Sequence, residues 1–355
     1  MRAGKPRTLA QVYRHFGEEA AAASPLYGRV ALALSESAEA LRAIEAVPAR
    51  RRHPKVILAA LHDLVLAGRA PALAGAYAVR DGDAAAAAAI DTLLDMTESV
   101  GVIAARRRTR TPDMGRCAVL YPAVAEAARR VGASSVGLID LASSAGFNLY
   151  VDRVGITYSN GQSLGHASSP VRLSCSLVGD RPIPARTMPE VVARVGVDLD
   201  PVDVTDPDEA RWLRACLCPD QPERLARLEA EMALAAAAPP LLLRGDAVEV
   251  MPDALARVPA DALRVLTTTW ALSGFPLESR LRFLHRLYEA AADRPVAWVS
   301  AEGVGVAPAI PTLGDRRASG HSIIGLAVFD GSSLRAEAAG RCWSQGRFLA
   351  WLADV

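Results

Sequence analysis

Lysine is almost absent from this 355-residue chain, at Lys5 and Lys55 alone, and aromatic residues make up only 5% of it. Arginine supplies nearly all the positive charge: 40 basic side chains face 39 acidic ones, a formal net charge of +1. Nucleic acid and anionic lipid are bound by a concentrated basic surface, which a balance this even does not create. The arginine clusters at 50–52 and 106–110 lack interleaved aromatics and read as solvated helix ends, so no nucleic-acid partner is expected. Cys117, Cys175, Cys216, Cys218 and Cys342 are too few and too unevenly spaced for a disulfide framework. Cys216-x-Cys218 has no second ligand pair at finger-like spacing, so no metal is expected. No uninterrupted apolar run reaches about 18 residues, and residues 1–23 carry Arg14, Glu18 and Glu19 where a signal peptide needs an apolar core. The expectation is a cytoplasmic protein that makes no use of a membrane. Two nucleotide signatures are also missing, G-x-G-x-x-G and the P-loop G-x-x-x-x-G-K-[ST].

Core-forming material is plentiful, with 51% hydrophobic and 22% charged residues and a mean hydropathy of +0.16. At roughly 100–200 residues per domain the length suggests two compact domains or one large decorated one. Residues 1–130 read as a helical domain: apolar spacing and caps predict helices over 8–23, 30–47, 56–67, 84–103 and 115–130, with Pro122 marking a start or kink in the last. From residue 131 short β-branched runs alternate with helical stretches, the pattern of a parallel sheet flanked by helices. Strands are predicted at 136–141, 194–199, 240–244, 263–268 and 295–300, and helices at 207–217, 223–237 and 278–292. Asp330-Gly331 between alternating apolar runs at 322–329 and 334–340 signals a hairpin. The Gly-, Ser- and Pro-rich stretch 152–189 fits no crossover helix and reads as an insertion, with β-like pieces such as 171–178.

The central motif runs from Val136 to Leu149: a strand ending in Asp140, a loop of small residues through Ala142, Ser144 and Gly146, and a predicted helix start near Asn148. Small residues let a backbone approach a ligand, and a helix N-terminus presents free N–H groups. A branched side chain at Gly146 is expected to intrude on such a ligand. The spacing resembles the acidic, glycine-rich first-strand motif of class I S-adenosylmethionine methyltransferases, with Ala142 and Ser144 where glycines are usual. Three later positions follow in the order this resemblance implies. Asp198 would accept both ribose hydroxyls, Asp246-Ala247 would meet the adenine, and Thr268 lies in the fourth-strand segment 263–270 that ends near the acceptor. Read alone, each acid is as readily a helix N-cap or turn residue.

The chain also resembles the bacterial domain-of-unknown-function family 2332 over nearly its whole length. The resemblance rests on the segments 142–149, 198–206 and 211–220, on Ser24-Pro-Leu-Tyr27 and Gly115-Arg-Cys117, and on Arg244-Gly-Asp-Ala247. The chain departs from the family at Pro112-Asp113-Met114, at Thr267-Thr-Thr269-Trp270 and at Cys342-Trp-Ser-Gln345-Gly346. Members there usually carry Asn-Glu, a His, and His-Pro-His-Gly. The half of the site that the resemblance assigns to the cofactor is therefore kept better than the acceptor half.

Together these readings imply an α/β protein with a Rossmann-like, mostly parallel sheet over 131–355, a C-terminal antiparallel hairpin and an N-terminal helical domain covering an acceptor pocket. The implied activity is methyl transfer from S-adenosylmethionine to a small molecule, a carboxylate-bearing metabolite being one form. The alternatives are a non-catalytic adenosine-ligand-binding protein, or another enzyme using S-adenosylmethionine or a nucleotide on the same fold. Candidate acceptor-side residues are Asp113, Arg116, Tyr121 and His166, expected to line one pocket with Thr269 and Trp270. His285 reads as a packed helix residue, and His321 has no motif around it. Ser143 and Ser144 lack the Gly-x-Ser-x-Gly of a nucleophile elbow.

Overall fold

The computed structural model describes residues 7–110 and 113–354; the first residues of the 1–23 stretch and Pro112 lie outside them. The chain packs into two units, Met1–Thr111 with Thr205–Glu229, and Pro112–Val204 with Ala230–Val355.

Within the first unit, among the described residues, every regular element is a helix: α1 (Leu9–Ala20), α2 (Pro25–Glu36), α3 (Ala38–Glu45), α4 (Pro54–Leu66), α5 (Pro71–Val79), α6 (Gly82–Asp95) and α7 (Thr97–Arg106). α8 (Cys117–Val131) belongs to the second unit; the chain returns to the first through α9 (Pro207–Ala215) and the opening of α10 (Pro222–Ala236). Thr8 caps α1 in a reciprocal capping box with Gln11, as its position ahead of the apolar pattern predicts. α4 is buried from Val56 through Leu64, which places it at the centre of the unit's core with Tyr13, Leu34 and Ile44 around it. The single helix predicted over 30–47 is broken at Ser37, whose side chain caps α3, and the one over 84–103 breaks at Met96. Among the described residues no single helix is long and apolar enough to cross a membrane.

The second unit is built on one mixed sheet. Its strands are β1 (Ser135–Leu141), β2 (Gly155–Tyr158), β3 (Ser163–Gly165), β4 (Arg172–Leu177), β5 (Glu190–Asp198), β6 (Leu241–Arg244), β7 (Leu263–Thr269), β8 (Val296–Gly303), β9 (Ser322–Asp330), β10 (Ser333–Trp343) and β11 (Phe348–Trp351). They lie in the order β3-β2-β4-β11-β10-β9-β8-β7-β1-β5-β6. The run β6-β5-β1-β7-β8 is parallel throughout. β9 is antiparallel to β8, and the predicted hairpin joins β9 to β10 around Asp330-Gly331. β1, β7 and β8 are buried along nearly their whole length, as strands at the middle of such a sheet must be. α11 (Ala247–Ala256) and α12 (Leu277–Ala290) share a core with them, where Phe283 meets Trp298 edge-on at 5.0 Å.

Two expectations change here. α8 packs on β8 and β9, so Arg116 and Tyr121 stand in the sheet unit and the packing division falls near residue 111. No α-helix follows the β1 loop: residues Phe147–Tyr150 form a 3-10 turn, and the chain passes into β2, β3 and β4 before reaching β5. The loop therefore has no helix N-terminus behind it. The side chain of Asn148 is taken up by neighbours in the sheet, which ties the segment down within one turn.

Candidate functional site

Numbered along the parallel run, β1, β5, β6, β7 and β8 stand in the order 3-2-1-4-5. Sheets wound this way bind ligands outside the strands' carboxyl ends, where the order reverses, here between β1 and β7. A polar network fills that point. Asp140 is fully buried. Its Oδ1 accepts from Thr267 Oγ1 at 2.6 Å and its Oδ2 from Asn148 Nδ2 at 3.1 Å. Burial pushes its carboxyl up to about 6, against the pull of those two hydrogen bonds and of the nearby Arg116 charge. Asn148 also donates to Thr269 Oγ1 at 3.0 Å, and Arg116 Nη1 reaches the Thr269 carbonyl at 3.2 Å and Oγ1 at 3.3 Å. The Arg116 guanidinium lies 5.2 Å from the centre of the Trp270 ring, whose Nε1 donates to Ser322 Oγ at 2.8 Å.

The β1 loop is held from the next strand. Asp198, at the end of β5, accepts from the backbone N–H of Ser144 at 2.8 Å through Oδ2 and from that of Asp200 at 2.8 Å through Oδ1. Ala142 and Ser144 take left-handed backbone angles at φ 56 and 53. Ala142 is exposed at the edge, Ser144 half-buried. Gly146 has φ +71, and a Cβ there would stand 3.0 Å from Pro240 Cγ and 3.2 Å from Leu149 Cδ1. The glycine is thus required by backbone angle and by packing toward β6, and a side chain would meet protein and not a ligand. Gly146→Val is expected to lower unfolding stability by about 2–4 kcal/mol in a denaturant titration, with Gly146→Ala costing about half as much. Wild-type stability in both variants would contradict this packing.

The remaining sequence candidates separate. Asp246 is exposed and caps α11, accepting from Val248 and Glu249 N–H at 2.9 and 3.3 Å, with Ala247 buried as the first helical residue. The hydroxyl of Thr268 faces the core, where it accepts from Trp298 Nε1 at 3.0 Å. Alternation along β7 puts Thr269, one residue on, in the network. Asp113 accepts from Gly115 N–H at 2.6 Å beside Arg116. Tyr121 and His166 lie elsewhere. They line a cavity of about 340 Å³ with Asp152, Arg153, Met188 and Arg194, beside the amino-terminal half of β5. Arg116 and Tyr121 start from one helical segment and end in different places.

One constellation carried no sequence signal. His321 Nε2 lies 2.8 Å from Asp315 Oδ2, and Arg341 grips the same carboxylate at 2.7 and 3.0 Å. That clamp, with His321 second, holds the Asp315 carboxyl below the usual carboxylate range. Its only hint in the sequence is the pair Gly314 and Gly320, which marks a loop without saying what it orients. The cysteines are free, and Cys216 and Cys218 stand in the helical unit with thiols pushed up by burial. Among the described residues no group of His, Cys, Asp and Glu could hold a metal ion.

This is an α/β protein with an N-terminal helical region and a large, mostly parallel mixed sheet whose polar residues gather at the carboxyl edge. The chain belongs to the bacterial family described as "Uncharacterized protein conserved in bacteria (DUF2332)", which matches residues 10–351. No curated protein and no solved structure matches it.

Proposed function

We propose that the second unit binds S-adenosylmethionine at its carboxyl edge and transfers the methyl group to a small-molecule acceptor. The observation that carries this reading is convergence. The acid ending β5 bridges to the small-residue loop ending β1, at the point where the strand order reverses. Asp198 would take the ribose hydroxyls, Asp246 the adenine amino group, and the exposed backbone around Ala142 would lie along the methionine moiety. The bound cofactor supplies an activated methyl group on a positively charged sulfur. The chain's part is to align a nucleophile with that carbon and to keep water out, which asks for few reacting side chains. Arg116, with its guanidinium partly exposed between Thr269 and Trp270, offers bidentate hydrogen bonds to an anionic group on the acceptor.

Calorimetric titration tests the reading. Saturable binding of S-adenosylmethionine and S-adenosylhomocysteine is expected, with NAD and ATP silent. Heat from NAD or ATP alone would replace it with a different nucleotide chemistry.

A further inference from the structure

We infer that the cavity beside the amino-terminal half of β5 is a second binding site, in which Arg153, His166 and Tyr121 take the oxyanion of a compact organic acid or phosphate ester. The inference is independent of the proposed function. Val191 in the cavity wall and Asp198 at the carboxyl edge stand roughly 20 Å apart along β5, at about 3.3 Å per residue.

The insertion between β1 and β5 supplies most of the wall. The peptide N–H of His166 donates to the Val154 carbonyl at 2.8 Å, continuing the ladder in which Gly155 of β2 lies opposite Gly165 of β3. That bond sets His166 beside Val154 and its chain neighbour Arg153. From the other side, the phenol oxygen of Tyr121 on α8 accepts from the Met188 N–H at 3.2 Å, which holds the 187–189 segment against the cavity. All of these residues belong to the second unit. A volume of about 340 Å³ lies at the lower end of the range for small-molecule sites, about 300–1,000 Å³.

The side chains left to bind a ligand are donors. Among the described residues the Arg153 guanidinium has no hydrogen bond or ion pair, although the residue is half-buried. Withdrawing part of a charged group from water without a partner costs free energy, which a bound anion offsets. Tyr121 is 5% exposed, and its oxygen is engaged only as an acceptor, so its own proton has no acceptor among the described residues. His166 Nδ1 lies 3.0 Å from Ser168 Oγ; with that hydroxyl donating, the ring proton stands on Nε2. The acceptors are engaged or turned away. Asp152 gives one carboxylate oxygen to each terminal nitrogen of Arg194, at 2.8 and 2.7 Å. Glu190 pairs with Ser135 and Arg194 with Leu138, three residues apart on β1, so alternation puts the Glu190 carboxylate on the opposite face of the sheet. One uncompensated positive charge and two further donors select an oxyanion, to which a guanidinium offers a planar fork. Met188, Pro189 and Val191 provide an apolar patch for a carbon skeleton.

The test uses the full chain, with inorganic phosphate and malonate as probes and chloride as the reference anion, in calorimetric titrations at constant ionic strength. Saturable binding of one or both oxyanions is expected, the tighter one distinguishing a phosphate ester from a carboxylic acid as the ligand. Arg153→Gln is expected to weaken that binding about tenfold, through the loss of one charge-assisted pair. Arg335→Gln, which removes an exposed arginine outside the cavity, is expected to leave it unchanged. Diethyl pyrocarbonate locates the bound anion, since it acylates reachable imidazoles and peptide mass identifies them. With the oxyanion at about ten times its measured Kd, acylation of His166 is expected to slow about tenfold by mass action, while exposed His285 is unaffected. Silence of both oxyanions, wild-type affinity in Arg153→Gln, an equal loss in Arg335→Gln, or unchanged acylation of His166 would overturn the site.

Discussion

Glu302→Gln is expected to raise unfolding stability at pH 8 by about 2 kcal/mol and to flatten its dependence on pH between about 4.5 and 7. Glu302, on β8, is fully buried. Its Oε1 accepts from the N–H groups of Ala271 and Leu272 at 3.0 and 3.1 Å, and its Oε2 has no hydrogen-bond partner among the described residues. Burial pushes the carboxyl up to about 7, despite those two bonds and the opposing pull of the Thr268 hydroxyl and the Arg280 charge. A raised folded-state value means that the folded protein holds the proton more tightly than the unfolded chain. Below the unfolded value both states are protonated and stability is unaffected. Between the two values the unfolded chain ionises first, so stability falls as pH rises, and above about 7 the whole penalty is present. Glutamine keeps an oxygen for the two backbone donors and cannot ionise. Urea titrations of both proteins at pH 5 and pH 8 measure the effect. A variant less stable than wild type at pH 8 would show that the ionised carboxylate is a net stabiliser.

Asp198→Ala is expected to weaken S-adenosylmethionine binding by more than tenfold, about 1.4 kcal/mol, and to destabilise the fold by about 2–4 kcal/mol. The two losses have separate causes. The N–H groups of Ser144 and Asp200 lose their acceptor, and each orphaned donor costs about 1–3 kcal/mol where water does not reach it. On the proposed reading, the cofactor's ribose hydroxyls would lose theirs as well. Asp198→Asn separates the effects: one carbonyl oxygen remains for one of the two backbone donors, so about half of the lost stability returns while ligand affinity stays reduced. Wild-type affinity in a folded Asp198→Ala protein, by calorimetry, would remove the ribose assignment and leave Asp198 as the tether of the β1 loop alone.

The sheet was legible wherever hydrophobicity and strand length coincide. The parallel strands and the hairpin around Asp330-Gly331 fall within a few residues of their predicted positions, because buried β-branched runs bounded by turns have few other solutions. β2, β3 and β11 are short and sit among Gly, Ser and Pro, where pairing with other strands decides the backbone and local pattern does not. α11 escaped notice because Pro252 interrupts its apolar pattern, although Asp246 ahead of it is a good cap. Asp140 and Asp198 were legible as acids at strand ends, but their donors were not: Thr267, Asn148 and the Ser144 N–H come from other strands or from a turn. Between Thr268 and Thr269 only the direction of the pleat decides, and a run of three threonines gives no alternation to read. The pairing of His321 with Asp315 and Arg341 depends on how the 304–320 segment folds back over the sheet, which no periodicity encodes.

The corners of the edge are turned by residues that would rather not turn them. Ala142 and Ser144 after β1 and Trp270 after β7 all adopt positive φ, at 56, 53 and 54, although each carries a Cβ. A left-handed angle costs a non-glycine residue roughly 1–2 kcal/mol. Glycine at any of the three would relax the backbone, yet at Trp270 it would also delete the surface on which Arg116 rests and the donor to Ser322. Robustness and aim are therefore opposed at Trp270, where a substitution that relaxes the backbone also lets go of the Arg116 guanidinium.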